Sequence, residues 1–252
     1  MNSGNLRGIV TALGALVLAG CTQTIATSKA TQSVETAGSA AFTAYQSRED
    51  LTVPSGKPDI IANPIKAELM VAGPQGDVVI GRSDAPVTVI EYASLTCPYC
   101  RAFHTETFAK VKAAYIDSGK VRWILREFPI GRSSGNATIA YRCASEKVRM
   151  KLFESFLRRQ AEWVSQDVRL DKIFKVAADA GLSQAQFDSC LSNQTLLSDL
   201  NWVKERGRQL GVSGTPTFFI GETKVRSVLS FEQFREIVEP QLGGQVAAAP
   251  AQ

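Results

Sequence analysis

The spacing of apolar positions changes several times along this chain, and each change marks an element. Val87-Thr88-Val89-Ile90 is an apolar, β-branched run of the kind that a strand covered on both faces requires. It leads through Glu91 to Cys97-Pro98-Tyr99-Cys100, two cysteines separated by two residues. Ahead of it, Asp77 to Gly81 predicts a short edge strand, and Asp84-Ala85-Pro86 predicts the turn between the two. Beyond Cys100 the spacing becomes helical through Phe108, Val111 and Tyr115, and it stops at Gly119. Val121, Trp123 and Leu125 then alternate with Arg122 and Arg126, predicting a second strand that ends before Pro129. Ile124 breaks the alternation. Strand, helix and strand in this order predict a βαβ unit with a parallel sheet.

Residues 134–210 carry helical spacing alone. One helix is expected from about Ala137 to Arg159, and an amphipathic one from Leu170 to Ala180, closed by Gly181. Ser183 reads as the N-cap of another, and Leu196, Leu200, Val203 and Leu210 lie along a fourth. Strand character returns at Gly214-Thr215-Pro216-Thr217-Phe218-Phe219-Ile220. A turn at Gly221-Glu222, a paired strand at Thr223 to Val225 and a helix from Ser230 to Leu242 follow, before a small-residue tail over 243–252. Trp123, Trp163, Trp202 and Phe218-Phe219 are expected to pack in the core or in the helical insert.

The first twenty residues have a different character. Arg7 precedes an apolar run from Ile9 to Ala19, of signal-peptide length and too short to span a bilayer. It ends in Leu18-Ala19-Gly20-Cys21, which looks like a bacterial lipobox, where the signal is cut before a cysteine whose sulfur receives a lipid. Cleavage after Gly20, lipidation of Cys21 and a membrane-anchored, periplasm-facing location in the cell envelope are the expectations. Thr22 to about Gly76 is rich in Ser, Thr, Ala, Gly and Gln, with Pro54, Pro58, Pro64 and Pro74. Such a stretch buries too little apolar surface to order itself and reads as a tether. Within it, Ala41 to Leu51 is a candidate short helix, and Ile60 to Val71 a candidate for packing on the domain.

The 44% hydrophobic and 21% charged composition of the 252 residues is enough for a packed core. A net charge of +4 without a basic cluster gives no reason to expect a nucleic-acid partner. Five cysteines include the pair at 97 and 100 and the one at 21. Cys143 and Cys190 remain, on two insert helices of an exported chain, and a structural disulfide between them is expected. It would contribute about 3–4 kcal/mol in the chain-entropy model. Two separately buried thiols are the alternative.

Pro98 suits the first turn of a helix, so Cys97 falls at a helix N-terminus, where free N–H groups and the macrodipole favour a thiolate. Cys100, one turn on, lies on the same side and can close a short disulfide. Glu91 is an acid inside an apolar strand. Burial would push its carboxyl upward and equip it to pass protons to Cys100, the alternative being a strand end that reaches solvent. His104 is expected to be a solvated helix residue. A zinc site at Cys97, Cys100 and His104 is disfavoured, because the chain has one histidine and no second cysteine pair. Neither metal nor cofactor is expected.

This layout resembles the DsbA-like family of thiol:disulfide oxidoreductases, α/β proteins of thioredoxin-like fold with an all-helical insert. Four features in order carry the likeness: Glu91 six residues before Cys97, the Cys97-Pro98-Tyr99-Cys100 motif, the insert, and Thr215-Pro216 before the late strand. The resemblance covers roughly residues 76–242 and implies a thioredoxin-like domain over 76–131 and 212–242 with a helical insert over 132–211; the composition ahead of it reads as a signal peptide over 1–20 and a tether over 21–75. It also implies a cis peptide bond at Pro216, which lies against the disulfide, and a substrate-binding backbone at Thr215. Tyr99 stands where some members have histidine, which leaves the redox strength open. The implied activity is donation of the Cys97–Cys100 disulfide to reduced or unfolded exported proteins, with reoxidation by a DsbB-like, quinone-linked membrane oxidase. The alternatives are a reductase or isomerase with the same motif, or a redox-inactive chaperone or assembly factor held at the membrane.

Overall fold

The computed structural model describes residues 60–62 and 66–246. Cys21, the expected signal peptide, the candidate helix at 41–51 and the last part of the tail lie outside the described residues. Six strands form one mixed sheet: β1 (Ile60–Ala62), β2 (Val78–Ile80), β3 (Val87–Ala93), β4 (Val121–Glu127), β5 (Thr217–Ile220) and β6 (Thr223–Val225). Their order is β1-β6-β5-β3-β4-β2. β3 and β4 run parallel, and every other pair is antiparallel.

The central strand β3 is covered on both faces, which explains its apolar run. Val89 enters one cluster with Trp123, Leu125, Phe218 and Ile220, while Ile90 and Tyr92 enter a second with Ile124, Phe128, Val203 and Phe219. The two-sided cover also explains Ile124: β4 has a buried position where a half-exposed strand would carry a polar one. Arg126, on the same face as Ile124, is buried as well. Its guanidinium donates to both carboxylate oxygens of Asp77 at 2.9 and 2.8 Å, to the carbonyls of Leu69 and Val71 at 2.7 and 2.9 Å, and to Tyr92 Oη at 3.2 Å.

These bonds draw the end of the expected tether onto the sheet. β1 pairs with β6, a short α1 (Lys66–Leu69) follows, and Leu69 is buried in the second cluster. The segment from Ile60 to Val71 therefore packs on the domain through β1 and Leu69.

The helix after the cysteine pair runs from α2 (Pro98–Ala102) through a π-helical turn at Phe103–Thr107, α3 (Phe108–Val111) and a second π-helical turn at Lys112–Ile116. The insert contains α4 (Gly131–Cys143), α5 (Glu146–Arg158), α6 (Gln160–Trp163), α7 (Leu170–Ala178), α8 (Gln184–Leu191) and α9 (Gln194–Gln209). The single helix expected over 137–159 is two. The chain turns extended at Ala144 and Ser145, and Arg149 closes the gap by donating to the Ala144 carbonyl at 3.1 Å. Ser183 caps α8 with a full capping box, as its spacing to Gln186 allows. Cys143 and Cys190 are joined in a disulfide, 47 positions apart. Trp163 is buried, but Trp202 is 41% exposed on α9 and does not pack in the insert. The last helix, α10 (Phe231–Val246), extends past Leu242 into the expected tail, its start capped by Ser230 and Gln233.

Candidate active site

The loop between β3 and α2 presents Cys97, and its geometry is held by side chains drawn from outside the motif. Ser94 Oγ lies 2.9 Å from Ser134 Oγ of α4 and accepts from the Ile130 N–H at 3.2 Å, while Thr96 Oγ1 donates to the Ile130 carbonyl at 2.9 Å. Gln160 of α6 donates its side-chain amide to the carbonyls of Leu95 at 2.7 Å and Cys97 at 3.0 Å. Periodicity gave no sign of these supports, because each depends on the insert folding back over the loop.

Cys97 occupies the N-cap of α2 with Pro98 behind it, and the two cysteines are free thiols of unequal access. Cys97 is 6% exposed and Cys100 fully buried, so an incoming sulfur meets Cys97 first. Cys97 Sγ donates to the Thr215 carbonyl at 3.1 Å. The Cys97 thiol is lowered from 9.0 to about 7. The main cause is hydrogen bonding from the Cys100 thiol to the thiolate, helped by the Thr215 side chain and by the N–H groups of Cys100 and Tyr99, against the opposing effect of burial. Cys100 is pushed well above its ordinary value, first by burial, then by Cys97 and by the charge of Glu91. Iodoacetamide is therefore expected to label Cys97 with a rate that rises with pH and reaches half its plateau near about pH 7, with Cys100 unlabelled. Peptide mapping at each pH checks this, and a midpoint near that of a free thiol contradicts it.

Glu91 is fully buried on β3, so the strand-end alternative does not hold. Its partner is His104, whose Nε2 lies 3.0 Å from each carboxylate oxygen. The His104 side chain is 1% exposed, which corrects the expectation of a solvated helix residue. A buried carboxylate needs a compensating donor, and the single histidine on the neighbouring helix was the available one.

Thr215 and Pro216 are joined by a cis peptide bond ahead of β5. Beside them opens a groove of about 250 Å³ lined by Tyr99, Thr215, Pro216, Arg226, Ser227 and Val228. The Phe218–Val225 pairing of β5 with β6 sets Arg226 next to this loop. The structure thus gathers Cys97, Cys100, Tyr99, Thr215 and Pro216 at one end of the sheet. Glu91 and His104 pair on the face covered by the cysteine helix, and Cys143 and Cys190 stand apart in the insert. Among the described residues, no three His, Cys, Asp or Glu side chains gather to hold a metal ion.

A mixed sheet with a cysteine pair at a helix N-terminus, facing a cis-proline strand and interrupted by a helical insert, defines a protein of the thioredoxin-like class. A family model described as Thioredoxin matches residues 74–240, and the chain belongs to that family and to its DsbA-like members. Wolbachia pipientis alpha-DsbA1 superposes with a TM-score of 0.66 at 26% identity, over 71% of this chain and 97% of its own. BdbD of Bacillus subtilis shares the fold at a TM-score of 0.62 and 20% identity, over 75% of this chain and all of its own. In sequence, Disulfide bond formation protein D of Bacillus subtilis is 25% identical over 183 residues, covering 68% of this chain and 79% of the relative. A Rickettsia bellii protein provisionally named a protein-disulfide oxidoreductase is 28% identical over 151 residues, 58% of this chain. The match spans 57% of that relative's length.

Proposed function

We propose that this protein is a thiol:disulfide oxidoreductase that introduces disulfides into exported proteins through Cys97 and Cys100. The observation that carries the reading is the inequality of the two thiols: a Cys97 at the helix N-cap, the less buried of the two and lowered to about 7, beside a fully buried Cys100 pushed upward. In the oxidised protein, a substrate thiolate attacks Cys97 Sγ, a mixed disulfide forms and Cys100 departs with the electron pair. A second substrate thiolate then attacks the substrate sulfur of that bond. Cys97 leaves as a thiolate, and the substrate holds the new disulfide.

Thr215 offers backbone groups to the substrate chain, and Pro216, Pro98 and Tyr99 shape the groove that receives it. Glu91 exchanges a proton with Cys100. The Cys143–Cys190 disulfide is structural. Lipidated Cys21 holds the protein at the membrane on the periplasmic side, and a DsbB-like, quinone-linked oxidase restores the disulfide. The names of the Bacillus and Rickettsia relatives support the reaction class, and the Cys21 motif supports the anchor.

The deciding experiment equilibrates the protein with glutathione buffers and follows oxidation of a dithiol peptide by the oxidised form. A lowered nucleophile stabilises the reduced protein, so the expected potential lies between those typical of thioredoxin and DsbA, about −270 and −120 mV. Stoichiometric peptide oxidation is expected with it. A potential at or below thioredoxin's would assign the pair to reduction.

A further inference from the structure

The groove beside the cis-proline loop is lined by one charged side chain, Arg226, and the exchange steps above give it no task. Arg226 is exposed and forms no hydrogen bond or ion pair among the described residues. The charge that it does act on is that of Lys224, another cation. The residues just ahead of the same loop, Gly211 to Ser213, line a second groove of about 540 Å³ together with Ile130, Lys204 and Arg208. Lys204 sits over the Phe128 ring at 5.7 Å, and Arg208 is exposed, 3.2 Å from Glu205. The reactive turn adjoins both grooves. Tyr99 lines the first, and Ile130 of the second bonds Ser94 and Thr96 through its N–H and carbonyl. Each groove carries cations, and no carboxylate lines either.

We propose that this site selects client segments with an acidic residue close to the reacting cysteine, and that Arg226 is the residue that reads it. The selection acts on the exchange reaction above and rests on that reading. A client thiolate that attacks Cys97 Sγ brings its own flanking side chains to the two grooves, because both adjoin the reactive turn. A carboxylate beside Arg226 takes two parallel N–H bonds from a guanidinium whose donors otherwise face water. A lysine in the same place meets cations and no compensating acid. The incoming sulfur is itself negative, so the field of Arg226, Lys204 and Arg208 also draws the attacking group inward. Because Arg226 is exposed, the pair it makes is a weak one. It grades clients a few-fold and does not shut out the rest.

The test uses two dithiol peptides that differ only in carrying Glu or Lys on both sides of each cysteine. Their oxidation by the oxidised wild-type, Arg226→Gln and Arg226→Glu proteins is followed by acid quenching and mass spectrometry. For each protein the Glu-peptide rate is divided by the Lys-peptide rate, which cancels the reactivity of that protein's own disulfide. Comparing the ratio between proteins then cancels the reactivity of the peptide thiols. At an ionic strength of about 0.01 M, where screening is weak, Arg226→Gln is expected to lower the wild-type ratio about three- to five-fold. Arg226→Glu should lower it further. At about 1 M salt the ratios should converge. Equal ratios in all the proteins at low salt overturn the proposal. So does a difference that high salt leaves untouched, since packing and not charge would then carry it. If the wild-type protein oxidises neither peptide, the exchange reaction itself is wrong.

Discussion

Replacing Cys97 with serine is expected to abolish oxidation of a dithiol peptide while leaving the fold intact. Cys97 is the less buried cysteine of the pair, 6% exposed where Cys100 is fully enclosed, and Cys143 and Cys190 are bonded to each other. No other thiol among the described residues can open the exchange. A serine hydroxyl is close in size to the thiol and can still donate to the Thr215 carbonyl, so the loop keeps its hydrogen bond. The change in stability should stay within about 1 kcal/mol. Mass spectrometry of the peptide measures the loss, and circular dichroism checks the fold. Cys100→Ser provides the contrast: it cannot form the donor disulfide and so does not oxidise the peptide, but its Cys97 thiolate still attacks added oxidised glutathione, releasing one glutathione thiolate, and the mixed disulfide should persist because the resolving sulfur is absent. Wild-type turnover in the Cys97→Ser protein would remove that residue from the reaction.

The largest stability effect is expected at Arg126. Substitution by methionine keeps much of the side-chain volume but removes a buried cation that bonds Asp77 twice, two backbone carbonyls and Tyr92. Asp77 then remains as a nearly buried, unpaired charge, its side chain 9% exposed. Breaking a buried pair from one side costs about 3–5 kcal/mol, which urea titration reads as a lower midpoint. Leu69 and Val71 lose their donor in the same step, so protease cleavage between α1 and β2 should accelerate. Asp77→Asn keeps an acceptor oxygen and should cost less. A midpoint unchanged by Arg126→Met would mean that the segment before β2 is held elsewhere.

The sheet was largely legible in the sequence, for a physical reason. β3, β5 and the β4 alternation carry the β-branched and aromatic positions that a covered strand needs, and the cysteine pair marks where the strand gives way to a helix. What escaped the sequence depended on contacts between distant residues. The break at Ala144 relies on Arg149 satisfying a carbonyl, which no local propensity encodes. Arg126 counted as polar by residue type, whereas the fold brings Asp77 and two carbonyls to it. A helix position alone places His104 in solvent, because exposed helix histidines are common. The π-helical turn at Phe103–Thr107 and the need of Glu91 for a donor bring it inside. The residues of the candidate site that share one local motif could be read directly. Their supports, Ser134 and Gln160, come from the insert and could not.

Gln160 has a further consequence. One amide group grips two neighbouring carbonyls on either side of the reactive turn, and it belongs to a part of the molecule that the strands alone would not require. The helical cap and the nucleophile are therefore mechanically joined, and rocking the cap away from the strands has to release that grip. Any shift of the cap would reach the sulfur's loop through Gln160 and through Ser134, which lies 2.9 Å from Ser94.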